Sequence, residues 1–287
     1  MEFYLSALVL GLCLACMALG IFISMKIFNI PDITTDGSFT LGAVITAMLI
    51  THHQNVWIAI PAVLCSGALA GMITAWIHTK LRIDALLAGI LNMTALYSIN
   101  LVLLGRSNVP FIGVKTIFKW LSPVSSATSD MIPAFVIVAI LIALLSYLFR
   151  TDFGIAVRAT GNSPSMAKSL GINNDKMKVI GLGIANALTA LSGYLVAQYQ
   201  GFTDINMGIG IVITGLGTVL IGDTLIKWLK ITSISKQLLM IPIGSIVFQM
   251  VLAVTLSMGV DPNLLKLVTA LFVLAIVYIP NLKLKQK

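Results

Sequence analysis

The sequence predicts an all-α, polytopic membrane protein. Hydrophobic residues fill 58% of its 287 positions and charged residues only 10%, where a soluble domain carries roughly 25% charged. Mean hydropathy is +1.02, and the apolar residues fall in runs near the roughly 20 residues a helix needs to cross a bilayer. The basic residues alternate in placement with those runs. All 18 Lys and Arg except Arg106, Lys115, Lys119 and Lys266 fall on one side, which the positive-inside bias makes cytoplasmic. The net charge of +8 is therefore topological, and no nucleic-acid partner is implied.

The first span, residues 5–25, stops at Lys26 and puts the N-terminus outside. Glu2 stands where a cleavable signal peptide would be positive, so this segment is expected to remain as a span. Cys13-x-x-Cys16 has redox spacing, but an apolar run lacks the polar setting that thiolate chemistry needs; these two and Cys65 are expected to pack. Residues 29–38 break the pattern with Pro31, Asp32, Asp36 and Gly37. The apolar run behind them, 39–50, is too short to span alone, so part of the polar segment enters the membrane. Backbone at that depth is tolerated only beside protein or a water-filled cavity. An external loop with His52 and His53 follows, without further metal ligands at a usable spacing.

Residues 56–77 return to Lys80 and Arg82, and Gly67 and Gly71 form a small-residue stripe that permits close helix approach. Asp84 caps the next span, which runs to Leu104; Asn92 and Thr94 lie in mid-membrane and either bond a neighbouring helix or face an aqueous path. Residues 106–130 form the longest external segment, with Phe111, Phe118, Lys119 and Trp120 suggesting an interfacial stretch. After crossings at 131–149 and 179–199, residues 201–210 form a second interruption, with Asp204, Asn206, Gly208 and Gly210. It opens a short span, 211–226, whose Gly215, Gly217 and Gly222 require close backbone approach and place it near the subunit centre or a dimer axis. Pro31-Asp32-Ile33 echoes Thr203-Asp204-Ile205, and the helices after them run oppositely, as in an inverted repeat. Residues 238–256 and 264–279, joined by an external turn, complete a single transmembrane domain over residues 1–287. About nine transmembrane or re-entrant helices are expected, ending in a cytoplasmic basic tail.

Residues 150–178 are the most elaborate polar segment. Arg150, Arg158, Lys168, Lys176 and Lys178 make it cytoplasmic. Gly161-Asn162-Ser163-Pro164 is a turn and helix-start signal in which Asn162 or Ser163 can cap, and Gly171 is a stop. Two short helices joined by a tight glycine turn are expected. The run FGIAVRATGNSPSMAKSLGIN resembles the coupling-loop signature of ABC importer permeases of the branched-chain amino-acid and ribose class. LLAGILNMTALYSINLVLLG and GLGIANALTALSGYLVAQYQGFTDINMGIG are similar to a subfamily that works beside a periplasmic or lipoprotein binding protein, with some members linked to aromatic amino acids. The resemblance covers about residues 31–223 and is most specific in the loop. It implies a permease of the bacterial inner membrane, present as two copies in lipid or one with a close relative. ATPase subunits would dock below on Arg158, Gly161, Asn162, Ser163, Lys168 and Gly171, and an external substrate-binding protein would deliver a small solute such as an amino acid. No cofactor would be bound by this chain, with ATP and Mg held by the ATPase.

The chain has no G-x-x-x-x-G-K-[ST], H-E-x-x-H or G-x-S-x-G, so neither ATP hydrolysis nor intramembrane catalysis is expected of it. A recognisable selectivity filter is lacking too. An ion-coupled secondary transporter is the alternative; it would be expected to carry ionisable residues in mid-span, and the acids here fall at span ends or interruptions. The expected translocation path joins the two interruptions, 32–38 and 204–210, with Asp36, Ser38, Asn92, Gln198, Asp204 and Asn206 as contributors. Against it stands a plainer reading, that each interruption is a helix cap at the membrane surface in which Asp36 or Asp204 bonds free N–H groups.

Overall fold

The computed structural model describes residues 2–52, 54–114, 116–121, 127–261 and 264–284; His53, Lys115, Lys285 and Lys287 lie outside them. Helix α1 (Glu2–Ile21) continues as a π-helical stretch, Phe22–Ile27. It is followed by α2 (Thr34–Thr51), α3 (Val56–Lys80), α4 (Ala85–Leu104), α5 (Ile117–Leu121), α6 (Ala127–Leu148), α7 (Asp152–Asn162), α8 (Pro164–Ser169) and α9 (Asn174–Gln200). Helices α10 (Ile211–Trp228), α11 (Ile234–Ser257) and α12 (Leu265–Leu284) complete the order. Seven helices among the described residues are long and apolar enough to cross a membrane: α1 with its extension, α3, α4, α6, α9, α10 and α11. The expected nine included α2 and α12. Helix α2 opens on Thr34, Thr35, Asp36 and Gly37, and the apolar part of α12 covers only Leu265–Ile276.

Local chemistry sets many boundaries. Asp84 Oδ1 accepts from the N–H groups of Leu86 and Leu87 at 2.9 and 3.4 Å, starting α4 as expected. Asn173 accepts from Lys176 N–H at 3.0 Å and starts α9 early, so Lys176 and Lys178 belong to that helix and the polar segment ahead of it is shorter than expected.

Helices α1 and α9 form the enclosed centre, with 83% and 78% of their spanning windows buried against 22% for α6. Three neighbours reach α9 through glycines. A Cβ on Gly20, Gly42 or Gly71 would run into the backbone carbonyls of Ala185, Ala190 or Leu182, and one on Gly67 would come within 2.6 Å of Ala190 Cβ. Such contacts replace, between helices in lipid, the hydrophobic driving force that water would supply. Ser192 Oγ donates to Cys13 O at 2.8 Å and Ser245 Oγ to Gly11 O at 2.7 Å, tying α9 and α11 to α1. Exposed Leu69, Trp76, Val102, Ile132 and Tyr147 leave α3, α4 and α6 as the lipid-facing shell. Helix α10 is less enclosed within the subunit than α1 and α9. Gly215 faces Ile21 and Met17 of α1, Gly217 faces Phe248 of α11 and Val273 of α12, and Gly222 faces Ile241 of α11, so its glycines seat it against three helices although only 33% of its spanning stretch is buried.

The fold is all-α as expected, with one short two-stranded ribbon added. Asn108–Pro110 (β1) pairs antiparallel with Phe202–Asp204 (β2), Val109 opposite Thr203. Three residues per strand are too few for an alternating pattern to register. Thr203 Oγ1 donates to Ala43 O in α2 at 3.2 Å, so the ribbon is set well below the end of α2 and supplies backbone partners at depth.

Lys26 Nζ lies 2.7 Å from Asp223 Oδ2, with Lys227 Nζ at 2.9 Å from the same oxygen, and Arg150 Nε donates to Ser235 Oγ at 3.1 Å. The ends of α1, α6 and α10 and the start of α11 thus gather with α7 and α8 at one basic end of the molecule.

Candidate functional site

Helices α2 and α10 start beside each other inside the structure and run in opposite directions. A helix start leaves free N–H groups and a partial positive charge. The start of α10 is met by Asp36 of α2, whose Oδ2 accepts from Gly210 N–H at 2.8 Å and Oδ1 from Val212 N–H at 2.9 Å. Gly210, at φ +80°, makes the turn into α10, and Gly208 lies against Asp36 O and Thr40 Oγ1, where a Cβ has no room. Asp36 is about 22 Å of helix from Thr51, and Ile211 about 24 Å from Lys227. The clasp therefore lies at membrane depth, where the broken helices of an inverted repeat are expected to meet. Asp36 does cap a helix, but that helix is α10 rather than its own, and the cap is not at the surface.

The rest of the first interruption is dry. Asp32, 3% exposed, accepts from Thr34 N–H at 2.9 Å and from Asn186 Nδ2 at 2.6 Å. Asn186 Oδ1 in turn accepts from Ser38 Oγ at 2.7 Å. Thr34 Oγ1 is 2.7 Å from Thr74 Oγ1, to which Asn92 Nδ2 donates at 2.7 Å while also donating to Ala70 O at 2.8 Å. Ser38 and Asn92 thus bind helices together. Gln198 Oε1 accepts from Ile117 N–H at 2.6 Å and anchors α5, while its buried Nε2 has no partner among the described residues.

Beside the second interruption a cavity of about 390 Å³ opens between α1, α9, α10 and α11. Asp204 and Asn206 reach it from the loop, together with Gln200, Thr214 and Gln249. Leu14, Phe39, Phe202 and Leu252 supply apolar wall. A neighbouring cavity of about 280 Å³ shares Asn206 and Thr214 and adds Lys266 and Thr269. Asp204 Oδ1 accepts from Asn206 N–H at 2.8 Å, a local turn that holds the loop at the rim. A larger groove, about 590 Å³ between α1, α6 and α11, has only apolar lining residues such as Leu12, Phe135 and Ile243 and offers nothing to orient a polar solute. Among the described residues no group of three or more His, Cys, Asp or Glu is placed to hold a metal ion.

At the basic end, α7 and α8 meet at Ser163, which makes no side-chain cap. Gly161 does not form the expected turn: it sits in the last turn of α7 with its Cα against Ile27 O, where no side chain fits. Asn29 Nδ2 donates to Gly161 O at 3.4 Å, and Asn174 holds the junction from α9, donating to Pro164 O at 2.7 Å. Gly171, at φ +79°, ends α8. Arg158 and Asn162 border a cavity of about 290 Å³ with Lys26, Asn29 and Asp223. Lys168, Met166 and Leu170 point outward.

The family described as branched-chain amino acid transport system / permease component matches residues 3–277. The chain belongs to this family of ABC-type permeases. The permease is 39% identical over 288 residues to the tyrosine transport system permease protein of Clostridioides difficile strain R20291, covering 100% of this chain and 94% of that one. It is 32% identical to uncharacterized protein RP368 of Rickettsia prowazekii strain Madrid E, over 93% of this chain and 94% of that one. With the ribose import permease protein of Escherichia coli K12 it shares 24% identity over 73% of this chain and 65% of that one.

Of the residues the permease sequence singled out, the structure brings Asp204 and Asn206 to the main cavity and Asp36 to the helix start beside it. Three others went unnoticed. Gln249 and Asn186 are isolated polar residues in apolar runs, and the rule that picked out Asn92 would have found them. Thr214, among glycines, carries no comparable signal.

Proposed function

We propose that this permease imports a small amino-acid solute, driven by ATPase subunits that dock on α7 and α8. The basic end is then cytoplasmic, with the N-terminus outside and the C-terminus inside. The observation that carries the reading is the α7–α8 pair. Met166 is 64% and Leu170 67% exposed beside Arg158 and Lys168, on a short polar element where lipid does not explain apolar exposure. Apolar side chains grouped on a water-facing element mark a protein contact. The pair is also braced: Gly161 on Ile27 passes any displacement of α7 to the chain that leads into α2.

ATP and Mg belong to the ATPase in this reading, since the permease has no phosphate loop. An external binding protein delivers solute at the opposite end, and two copies of the chain stand side by side in lipid around the path. The amino-acid class follows from the relative named for tyrosine transport and from a cavity with both apolar and polar walls. Asp36 is accounted for by its structural task at the α10 start, where each oxygen accepts from one N–H group, so its presence does not by itself call for ion coupling.

The double substitution Met166→Glu with Leu170→Glu tests the dock. Both sites are exposed, so yield and melting temperature should stay unchanged, while retention of the ATPase on purified permease and L-tyrosine uptake by cells fall by an order of magnitude or more. Normal ATPase retention and uptake would remove α7–α8 as the docking element. Uptake that collapses with a protonophore while cellular ATP is maintained would favour the ion-coupled alternative.

A further inference from the structure

We infer that the cavity beside the α10 start is a solute subsite in the permease itself, fitted to an α-amino acid with an apolar or aromatic side chain. The inference rests on the amino-acid import proposed above. Its volume, about 390 Å³, falls within the roughly 300–1,000 Å³ of small-molecule sites, which are mostly apolar with a few convergent polar groups.

Gln249 is the deciding residue. It lies within α11, is only 7% exposed, makes no side-chain hydrogen bond to any described residue, and lines both this cavity and an adjoining one of about 280 Å³ between α1, α9, α11 and α12. Buried amides are almost always bonded, so an amide left open onto a cavity is open to something that visits it. The side chains of Gln200, Asn206 and Thr214 reach the same space, also without partners among the described residues. These four come from α9, the loop before α10, α10 itself and α11. No local sequence preference explains their convergence.

The charges suit a zwitterion. Asp204 at the rim, with the Asn206 amide oxygen, can accept from an ammonium group. The side-chain N–H groups of Gln249 and Gln200 and the Thr214 hydroxyl can donate to a carboxylate. Lys266 lies in the adjoining cavity, across the wall that Asn206 and Thr214 share, and adds positive potential on the carboxylate side. Leu14, Phe39, Phe202 and Leu252 then face the solute side chain. A sugar, polar all round, would leave that wall uncovered and its own hydroxyls unbonded. Ile211 lines the cavity between the two residues whose N–H groups Asp36 holds, so an occupant touches the turn that joins α2 to α10.

The test uses purified full-length permease in lipid nanodiscs, with Cys65→Ala and Met207→Cys, the latter placing a thiol on the cavity wall. Cys13 and Cys16 are buried and stay in place. Millimolar L-tyrosine or L-leucine should slow labelling of the new thiol several-fold by a small charged thiol reagent, and D-ribose should not. Gln249→Leu should abolish the protection, and Thr214→Val should weaken it. The labelling rate without solute serves as the folding control for both variants. Labelling indifferent to both amino acids, protection that survives Gln249→Leu, or equal protection by D-ribose overturns the subsite. L-Tyrosine uptake by cells carrying the whole system separates the two proposals. Uptake without protection removes the subsite alone; absence of both removes amino-acid import with it.

Discussion

The two interrupted helix starts share a short motif and occupy opposite environments. At α2 the polar groups are taken up by protein: Asp32 by Thr34 and Asn186, Ser38 by Asn186, and Thr34 by Thr74. At α10 the loop side chain of Asn206 and the first-turn Thr214 have no partner among the described residues and look into cavities. Helices α3, α4 and α9 wrap the first, while the second lies at the thinly covered edge of the subunit. Irregular backbone at membrane depth needs shelter from lipid; at both starts protein groups meet the backbone, and only at α10 do loop side chains face open space. Asp36 joins them, a carboxylate rooted in the dry region whose partners belong to the wet one.

That contrast breaks most visibly at Asp32. Asp32→Ala removes two bonds to a buried carboxylate, each worth about 1.5–3 kcal/mol, and leaves Asn186 Nδ2 with Leu182 O as its one acceptor. A loss of about 3 kcal/mol or more is expected, read as a lower thermal midpoint and lower yield, with Asp32→Asn recovering part of it. An unchanged midpoint would mean that the dry region is not dry. Asp36→Ala should cost less, about 1–2 kcal/mol for a lost cap. Its mark is local: amide hydrogen exchange should quicken at residues 210–213 and stay unchanged at 34–38, and Asp36→Asn, keeping one acceptor oxygen, should fall between. Equal quickening at both starts would contradict the one-sided clasp. The smallest effect belongs to the wet side. Asn206→Ala should change stability by less than about 0.5 kcal/mol, as at an exposed position, and a larger loss in thermal unfolding would count against an open loop. Single cysteines sharpen the same comparison. At Thr35 and Ser38, both 0% exposed, they should resist an impermeant thiol reagent, whereas at Ile209, 45% exposed, one should react.

The spans, the Asp84 cap, the basic end and both interruptions were legible in the sequence, because each is written in neighbouring residues. What was not legible is which side chain answers which. Asn186 meets Asp32 across 154 positions and Asp36 meets Gly210 across 174, and no local pattern encodes such pairings. For the same reason the partners of Asn92, on α3, and of Gln198, at the start of α5, were not legible. The Gly161 signal was real but its meaning was different: glycine is required there for contact with Ile27, not for a turn. The ribbon of β1 and β2 escaped notice because three-residue strands are shorter than any alternation they could show.

The distance between Asp36 and its partners also has a consequence in time. The ribosome adds roughly 5–20 residues per second, so with 174 positions between them, Asp36 emerges roughly 9–35 s before Gly210 can reach it. For that interval α2 carries a carboxylate that the hydrocarbon cannot hold ionised, and it has to remain beside water or the insertion machinery. Only when α10 arrives can the second helix of the chain take its final depth. Biogenesis of this permease is therefore expected to pass through a long-lived intermediate whose early helices are made but not yet seated.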